Sequence, residues 1–153
     1  MTVRIEVDDL TRPAVVGLLA EHLADMHATS PACSVHALDL TGLRDPAVTV
    51  WTAWDGDTLL GCAALKRLSA DHGEVKSMRT ASAARGRGVG ATLLAHLLAE
   101  ARRRGWTRLS LETGSQDAFG PARRLYLRHG FEPCPPFADY TDDPNSTYLN
   151  RLL

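Results

Sequence analysis

Hydrophobic and polar residues recur along this chain with two periods, which predict where its strands and helices lie. Apolar residues alternate with polar ones, or cluster between turn residues, at 2–7, 48–54, 58–66, 74–80, 106–113 and 146–152, which predicts strands there. Apolar residues three and four positions apart predict helices from 13 to about 28, from 88 to 104 and from 120 to 129. Residues 31–46 are irregular, with an unassigned apolar piece at 35–40 that allows a short second helix.

Turn and cap residues mark the ends of these elements. Thr11 is a favourable N-cap, and Pro13 fits the first turn of the helix that follows. Gly105 and Gly130 stop the two later helices, and Asp-Gly at 55–56 joins two strands as a hairpin. Hairpin-linked strands followed by strand–helix crossovers, with a further extended piece from residue 131, predict a mixed α/β sheet covered by helices. We expect residues 1–153 to form a single domain.

Composition and charge exclude several classes of function. A formal net charge of −1 gives no broad attraction for nucleic acid or anionic membranes, so we expect neither as a partner. Three scattered cysteines form neither a disulfide framework nor a CxxC metal site, and no metal is predicted. Charged residues interrupt the first ten positions, and no apolar run is long enough to cross a bilayer. These features predict a cytoplasmic protein.

The run from Arg85 to Gly90 carries the clearest chemical signal. Its glycines lie between a predicted strand and a predicted helix, where a missing Cβ lets a ligand approach the backbone. The helix start adds unpaired N–H groups and a positive dipole end, which together favour phosphate. A solvated turn and a dinucleotide fingerprint are the alternatives, since Gly86, Gly88 and Ala91 satisfy G-x-G-x-x-A. Hairpin strands before the run and five residues between Thr80 and Gly86 count against the fingerprint.

Two motifs together with the strand between them resemble one known family. The pattern R-x-x-G-x-G at 85–90 resembles the acetyl-CoA signature of the GNAT superfamily of N-acetyltransferases. The segment 122–131 resembles that family's A-x-x-L-Y-x-x-x-G-F motif, and 109–113 resembles its fifth strand. Residues 36–39 and 134–146 resemble a bacterial branch of small acetyltransferases. The resemblance implies the GNAT acyl-CoA N-acyltransferase fold, in which helices flank a central, mostly antiparallel sheet.

The same resemblance implies the reaction and its participants. Acetyl-CoA would be the co-substrate, and its acetyl group would pass by direct attack, in a ternary complex, to a primary amine. The acceptor would be a small metabolite, a peptide N-terminus or a lysine, and the protein would be a homodimer. A non-catalytic acyl-CoA-binding or sensor module is the competing hypothesis, because it would share the fold and the glycine run.

Individual site residues also follow from the resemblance. The acetyl-CoA pyrophosphate would lie on Arg85, Gly86, Arg87, Gly88, Val89, Gly90 and Ala91. The pantetheine arm would pair with the backbone of Met78, Arg79 and Thr80, and the Met78 N–H would stabilise the oxyanion. Tyr126 would protonate the departing thiolate. Glu112, or secondly Glu74, would be the general base, directly or through water.

The acceptor end of the site is less defined by the sequence. His27 and His36 flank the irregular segment that would form one wall of the acceptor pocket, so both are candidates for substrate contact. Phe119 occupies the position where the family usually has Asn, a residue that bonds the pantetheine region. That hydrogen bond would then be lost, or Ser115 or Gln116 would supply it. The family also leads us to expect a β-bulge that separates its fourth and fifth strands.

Overall fold

A seven-stranded sheet forms the centre of the molecule in a computed structural model that describes residues 2–153. Its strands are β1 (Arg4–Val7), β2 (Val48–Asp55), β3 (Thr58–Arg67), β4 (His72–Thr80), β5 (Arg108–Gly114), β6 (Glu132–Pro133) and β7 (Ser146–Leu152). They lie side by side in the order β1-β2-β3-β4-β5-β7-β6. Within residues 2–153, β4 and β5 pair in parallel, whereas the other neighbouring strands are antiparallel. The expected mixed, mostly antiparallel sheet is confirmed.

Four helices cover this sheet. They are α1 (Pro13–Thr29), α2 (Leu40–Leu43), α3 (Val89–Arg103) and α4 (Gly120–Arg128). Short 3-10 turns lie at Ala32–Ser34, Ser82–Ala84 and Asp117–Phe119. The order of strands and helices agrees with the prediction, and α2 is the short helix that the irregular segment allowed. Among the described residues, no helix combines the length and the apolar character needed to cross a bilayer.

The two faces of the sheet bury separate hydrophobic clusters. Leu93, Leu97 and Leu109 belong to the cluster that α3 and α4 form with one face, and all three are fully buried. Val15 and Cys62 belong to the cluster that α1 and α2 form with the other. Each helix therefore contributes its apolar stripe to the core, as its periodicity predicts.

The beginning of α1 differs from the prediction. Arg12, not Thr11, is the N-cap, and it makes no side-chain capping bond. The Thr11 hydroxyl instead donates to Asp9 at 2.6 Å, and the Arg12 guanidinium donates to Asp8 at 2.6 Å. Pro13 does occupy the first turn. The Thr11 prediction was wrong because the hydroxyl is already engaged by the carboxylate two residues before it.

The parallel strands β4 and β5 are joined at one end and separated at the other. Their pairing covers only 72–74 against 108–110. Beyond it, β4 contains a bulge in which Ser77 and Met78 face the single residue Ala63 of β3, and Ser77 has a φ of 50°. Such a bulge bends its strand and interrupts the ladder. The bulge that the family resemblance led us to expect is thus present, and it opens the sheet at the carboxyl ends of both strands.

Candidate active site

A cleft of about 860 Å³ occupies the gap between β4 and β5. It extends from α1 and the segment after it to the beginnings of α3 and α4. The predicted site residues that line it are His36, Met78, Arg79, Thr80, Arg85, Gly86, Gly88, Val89, Gly90, Ala91, Glu112 and Tyr126. Arg87, Glu74 and His27 do not line it. The fold therefore brings together residues that are up to 90 positions apart in the chain.

The glycine run forms one end of this cleft. Gly86 and Gly88 both have a φ of 78°, in the left-handed region that favours glycine. A Cβ built at either position would have no neighbouring heavy atom within 4 Å, so the backbone there is open to a ligand. Gly88 is the N-cap of α3 and makes no side-chain capping bond. The first N–H groups of a fifteen-residue helix therefore face the open space, as an anion site requires.

Glu112 is the carboxylate of β5 that reaches the cleft. Its side chain is half-buried, and burial raises the pKa of its carboxyl, although the nearby Lys76 ammonium opposes that shift. A raised carboxyl pKa brings the group closer to neutral pH, where it exchanges protons more readily with an amine. Glu112 is thus a half-buried carboxylate at the cleft with a raised pKa.

Glu74 lies in a different environment from Glu112. It is only 3% exposed and is bonded by two groups that the sequence analysis missed. The Tyr140 hydroxyl donates to its carboxylate at 2.5 Å, and the Lys76 ammonium lies 3.3 Å from the same oxygen. Burial and the Glu74 carboxylate raise the pKa of the Tyr140 hydroxyl, so this proton stays on the tyrosine. The Glu74 carboxylate is thus hydrogen-bonded within the protein and does not line the cleft.

Tyr126 lies under the cleft on α4, against the bulged strand. Its hydroxyl is 3.7 Å from the Met78 sulfur, and its ring packs edge-on against Phe131 with centroids 5.8 Å apart. Burial and the charge of Glu112 raise the pKa of the Tyr126 hydroxyl. The hydroxyl therefore remains protonated at neutral pH and is present as an O–H donor at the cleft.

The comparison with protein families agrees with this geometry. Residues 16–131 match the model of the acetyltransferase (GNAT) family. The chain belongs to the GNAT family. It is 52% identical to the uncharacterized N-acetyltransferase YsnE of Bacillus subtilis, over 97% of this chain and 99% of that protein. It is 51% identical to the uncharacterized N-acetyltransferase YedL of Escherichia coli, over 97% and 94% respectively. The chain is thus an acetyltransferase of a family whose members are enzymes.

Solved GNAT structures have the same architecture. A protein of Klebsiella pneumoniae that is described as an acyl-CoA N-acyltransferase superimposes with a TM-score of 0.83. The two sequences are 29% identical, and the superposition covers 99% of this chain and 98% of that one. A GNAT family acetyltransferase of Elizabethkingia anophelis, solved with acetyl-CoA bound, has a TM-score of 0.70 and 17% identity, with coverage of 99% and 98%. The predicted GNAT fold is confirmed.

Of the two histidines that were predicted to contact the acceptor, only His36 lines the cleft. Its ring packs edge-on against Tyr140 at 4.9 Å. Burial lowers the pKa of His36, as does the Lys76 ammonium. His27 is exposed on the last turn of α1 and points elsewhere; His22, one turn earlier, lines the cleft instead. Burial lowers the pKa of His22 to about 4, so its imidazole is neutral.

The side chain and the backbone of Arg79 have different partners. Its guanidinium bonds Glu21 and Asp25 of α1, each at 2.6 Å. The side chain is therefore committed to holding α1 against β4. The backbone of Arg79 pairs with Cys62 of β3, so the pantetheine pairing that the family resemblance implies would use the edge of β4 that β5 leaves open.

The loop after β5 departs from the usual GNAT pattern in a specific way. The Phe119 ring lines the cleft and packs against Gly114, where an added Cβ would come within 2.1 Å of it. The Ser115 hydroxyl donates to Pro144 O at 2.6 Å, and the Gln116 amide donates to Asn145 at 3.2 Å. Neither of these two residues lines the cleft. Both are bonded to the loop before β7, so of the two predicted alternatives the structure favours loss of this hydrogen bond.

Among residues 2–153, no three His, Cys, Asp or Glu side chains lie close enough together to hold a metal ion.

Proposed function

We propose that this GNAT protein transfers the acetyl group of acetyl-CoA to a primary amine by direct attack in a ternary complex. The observation that carries the proposal is the meeting of four features in one cleft. An open helix N-terminus, two separated strands, a protonated tyrosine and a half-buried carboxylate all face the same space. Each corresponds to one requirement of acetyl transfer from a thioester.

The donor would occupy the end of the cleft at α3. Its pyrophosphate would lie on the amides of 86–91, where the helix dipole and the unpaired N–H groups favour anions. Arg85 lines this end, and Arg87 lies exposed beside it, so both add positive charge. The pantetheine arm would lie along Met78, Arg79 and Thr80, where β4 has left its parallel partner. Two observations support this placement: the backbone of the glycine run has open space beside it, and the edge of β4 beyond residue 74 is not paired with β5.

The chemical step would use three groups of this chain. Glu112 accepts a proton from the acceptor ammonium, and the neutral amine then attacks the thioester carbonyl. The Met78 N–H stabilises the oxyanion that forms as the new C–N bond is made. When the C–S bond breaks, Tyr126 gives its proton to the departing thiolate, and the second proton of the acylated nitrogen restores the tyrosine hydroxyl. The products are an acetamide and free CoA, and Glu112 releases the first proton to solvent.

The choice between the two carboxylates follows from their surroundings. Glu112 lines the cleft, whereas Glu74 does not and is paired with Lys76 and Tyr140. We therefore propose Glu112 as the base and assign Glu74 a supporting position. His36 is the histidine that we propose to contact the acceptor.

The remaining parts of the proposal concern partners and cellular location. The acceptor is a small metabolite or a peptide amine, and the protein acts in the cytoplasm, where acetyl-CoA is supplied. The net charge of −1 supports the exclusion of nucleic acid and membranes as partners. Resemblance to other family members supports a homodimer, which sedimentation velocity measures directly.

A panel of amines tests the function. Purified protein is incubated with acetyl-CoA and each amine, and both free thiol and acetylated product are measured by absorbance and mass spectrometry. We expect amine-dependent CoA release with one acetyl group gained per CoA. Tight binding of acetyl-CoA without turnover of any amine or peptide would instead support the acyl-CoA-binding module.

A further inference from the structure

Lys76 lies between two carboxylates on one face of the sheet. The pairing of Glu74 with Ser110 sets the register of β4 and β5. Two residues further along each strand, on the same face, are Lys76 and Glu112. The Lys76 side chain is only 9% exposed, although it carries a full charge. A buried lysine at this point requires an explanation beyond surface solvation.

Each N–H of the Lys76 ammonium has an acceptor within the protein. It lies 3.0 Å from the His36 carbonyl oxygen, 3.0 Å from the Tyr140 hydroxyl oxygen and 3.3 Å from a Glu74 oxygen. A lysine ammonium has three protons, so these contacts use all of them. Lys76 is thus fixed in place and has no donor left for a substrate.

The charges around Lys76 do not cancel. Glu74 is paired with the ammonium and also accepts a hydrogen bond from the Tyr140 hydroxyl. Within residues 2–153 no ion pair neutralises Glu112, which lines the cleft; burial raises the pKa of this carboxyl, and the Ser146 hydroxyl lowers it. The Lys76 charge lowers the pKa of Glu112, whereas the Glu74 charge raises it. The other ionisable groups that act on Glu112 or feel its charge are Tyr126 of α4, Tyr148 of β7, and Tyr140 and Asp143 of the loop between β6 and β7.

A buried ion pair is a poor source of stability, because desolvation offsets most of its attraction. The arrangement therefore calls for another role. We propose that Lys76 is a positioning residue for acetyl transfer: its ammonium, anchored by Glu74, Tyr140 and the His36 main chain, keeps Glu112 ionised and ready for the acceptor proton. This inference rests on the proposed function for its consequence, but the charge effect itself exists without any substrate.

Two substitutions of opposite sign test the inference. Lys76→Met removes a positive charge from beside Glu112, so the pKa of Glu112 should rise by about one pH unit. Glu74→Gln removes a negative charge, so the same pKa should fall by a similar amount. The measurement is an NMR pH titration of protein labelled with ¹³C at the glutamate carboxyl carbons, with Glu112→Gln identifying the resonance.

Control variants separate charge from packing. Lys76→Arg keeps the charge and should leave the Glu112 titration within about 0.3 pH unit of the unmodified protein. The double variant Glu74→Gln/Lys76→Met removes both charges and should fall between the two single variants. If Lys76→Met does not fold, the Glu74→Gln and double variants still give the sign and size of both effects.

Two results would overturn the inference. Shifts in the same direction for both single variants, or no shift in either, would show that Lys76 only packs the site. The acidic limb of the pH–rate profile should move with the titration, to higher pH for Lys76→Met and to lower pH for Glu74→Gln. If no amine is acetylated, the proposed function fails, and the titration alone still decides whether Lys76 sets the charge of Glu112.

Discussion

At the scale of single residues, two similar side chains differ because of what surrounds them. Glu112 and Glu74 lie on neighbouring parallel strands and on the same face of the sheet. Glu74 is bonded at 2.5 Å by Tyr140, whereas Glu112 faces the cleft. An ionised carboxylate that is already paired is a weak proton acceptor, while one in a partly apolar cleft binds a proton more tightly. The surroundings, and not the residue type, favour Glu112 as the base.

The pH dependence of turnover tests the role of Glu112. Burial raises the pKa of this carboxyl, and only its ionised form accepts a proton. Turnover should therefore fall as the pH decreases through a value above the usual range for glutamate. Glu112→Gln should abolish this acidic limb and lower turnover by about 10²-fold near neutral pH. The measurement is kcat/KM against pH; a variant that keeps the limb would exclude Glu112 as the titrating base.

The hydroxyl of Tyr126 is open to a similar test. Tyr126→Phe should lower turnover by about 10²-fold, because the thiolate loses its proton donor, while acetyl-CoA binding changes little. Tyr148→Phe is a matched control: this tyrosine is also buried, but its hydroxyl donates to Thr141 O at 2.7 Å, outside the cleft. We expect the control to remain within about twofold in turnover. Equal turnover of Tyr126→Phe and the control would remove the acid role.

At the scale of elements, the turn before α3 forms the proposed donor site. Two residues with a φ of 78° bring the chain from the 3-10 turn into the helix, and both are glycine. Any other residue in this left-handed conformation costs roughly 1–2 kcal/mol. The space beside each glycine is empty in the protein, so packing does not explain the absence of a side chain there. A ligand that touches the backbone does explain it.

Gly88→Val tests the donor site at this turn. A branched side chain over the first amides of α3 should weaken acetyl-CoA binding beyond detection in titration calorimetry. Gly56→Val is the control, since Gly56 also has a positive φ of 56° and empty space beside it, but lies in the β2–β3 hairpin. Both variants should lose similar stability, and only Gly88→Val should lose the ligand. Unchanged affinity in Gly88→Val would refute the phosphate site.

At the scale of the whole molecule, β4 and β5 are paired at their beginnings and separated at their carboxyl ends. Gly73 lies where β4 and β5 still pair, with the Trp106 ring packed directly over it. A Cβ at this position would be 2.0 Å from the ring. Beyond this point the bulge at Ser77 turns β4 away, and the cleft begins. The opening between the strands thus depends on close packing at their beginning.

Gly73→Ala should therefore destabilise the protein. Overpacking against Trp106 should lower the free energy of unfolding by about 1–3 kcal/mol, measured by denaturant titration. Gly17→Ala gives a control of opposite sign: Gly17 is in the interior of α1 with no atom within 4 Å of an added Cβ. That change should raise stability by roughly 0.5–1 kcal/mol through helix propensity. A Gly73→Ala variant as stable as the original would show that the ring moves aside without cost.

The sequence by itself determined the order of the elements, the glycine turn before α3 and the position of Tyr126, because each depends on residues that are close in the chain. Periodicity and glycine placement are local and can be read directly. The tertiary structure alone decided which of the candidate residues line the cleft. Glu112 and His36 do, whereas Glu74 and His27 do not. Tyr140 is 66 positions from Glu74 in the chain, and no local pattern relates the two. Burial and charge at the site arise from such distant contacts, so they exist only once the chain has folded.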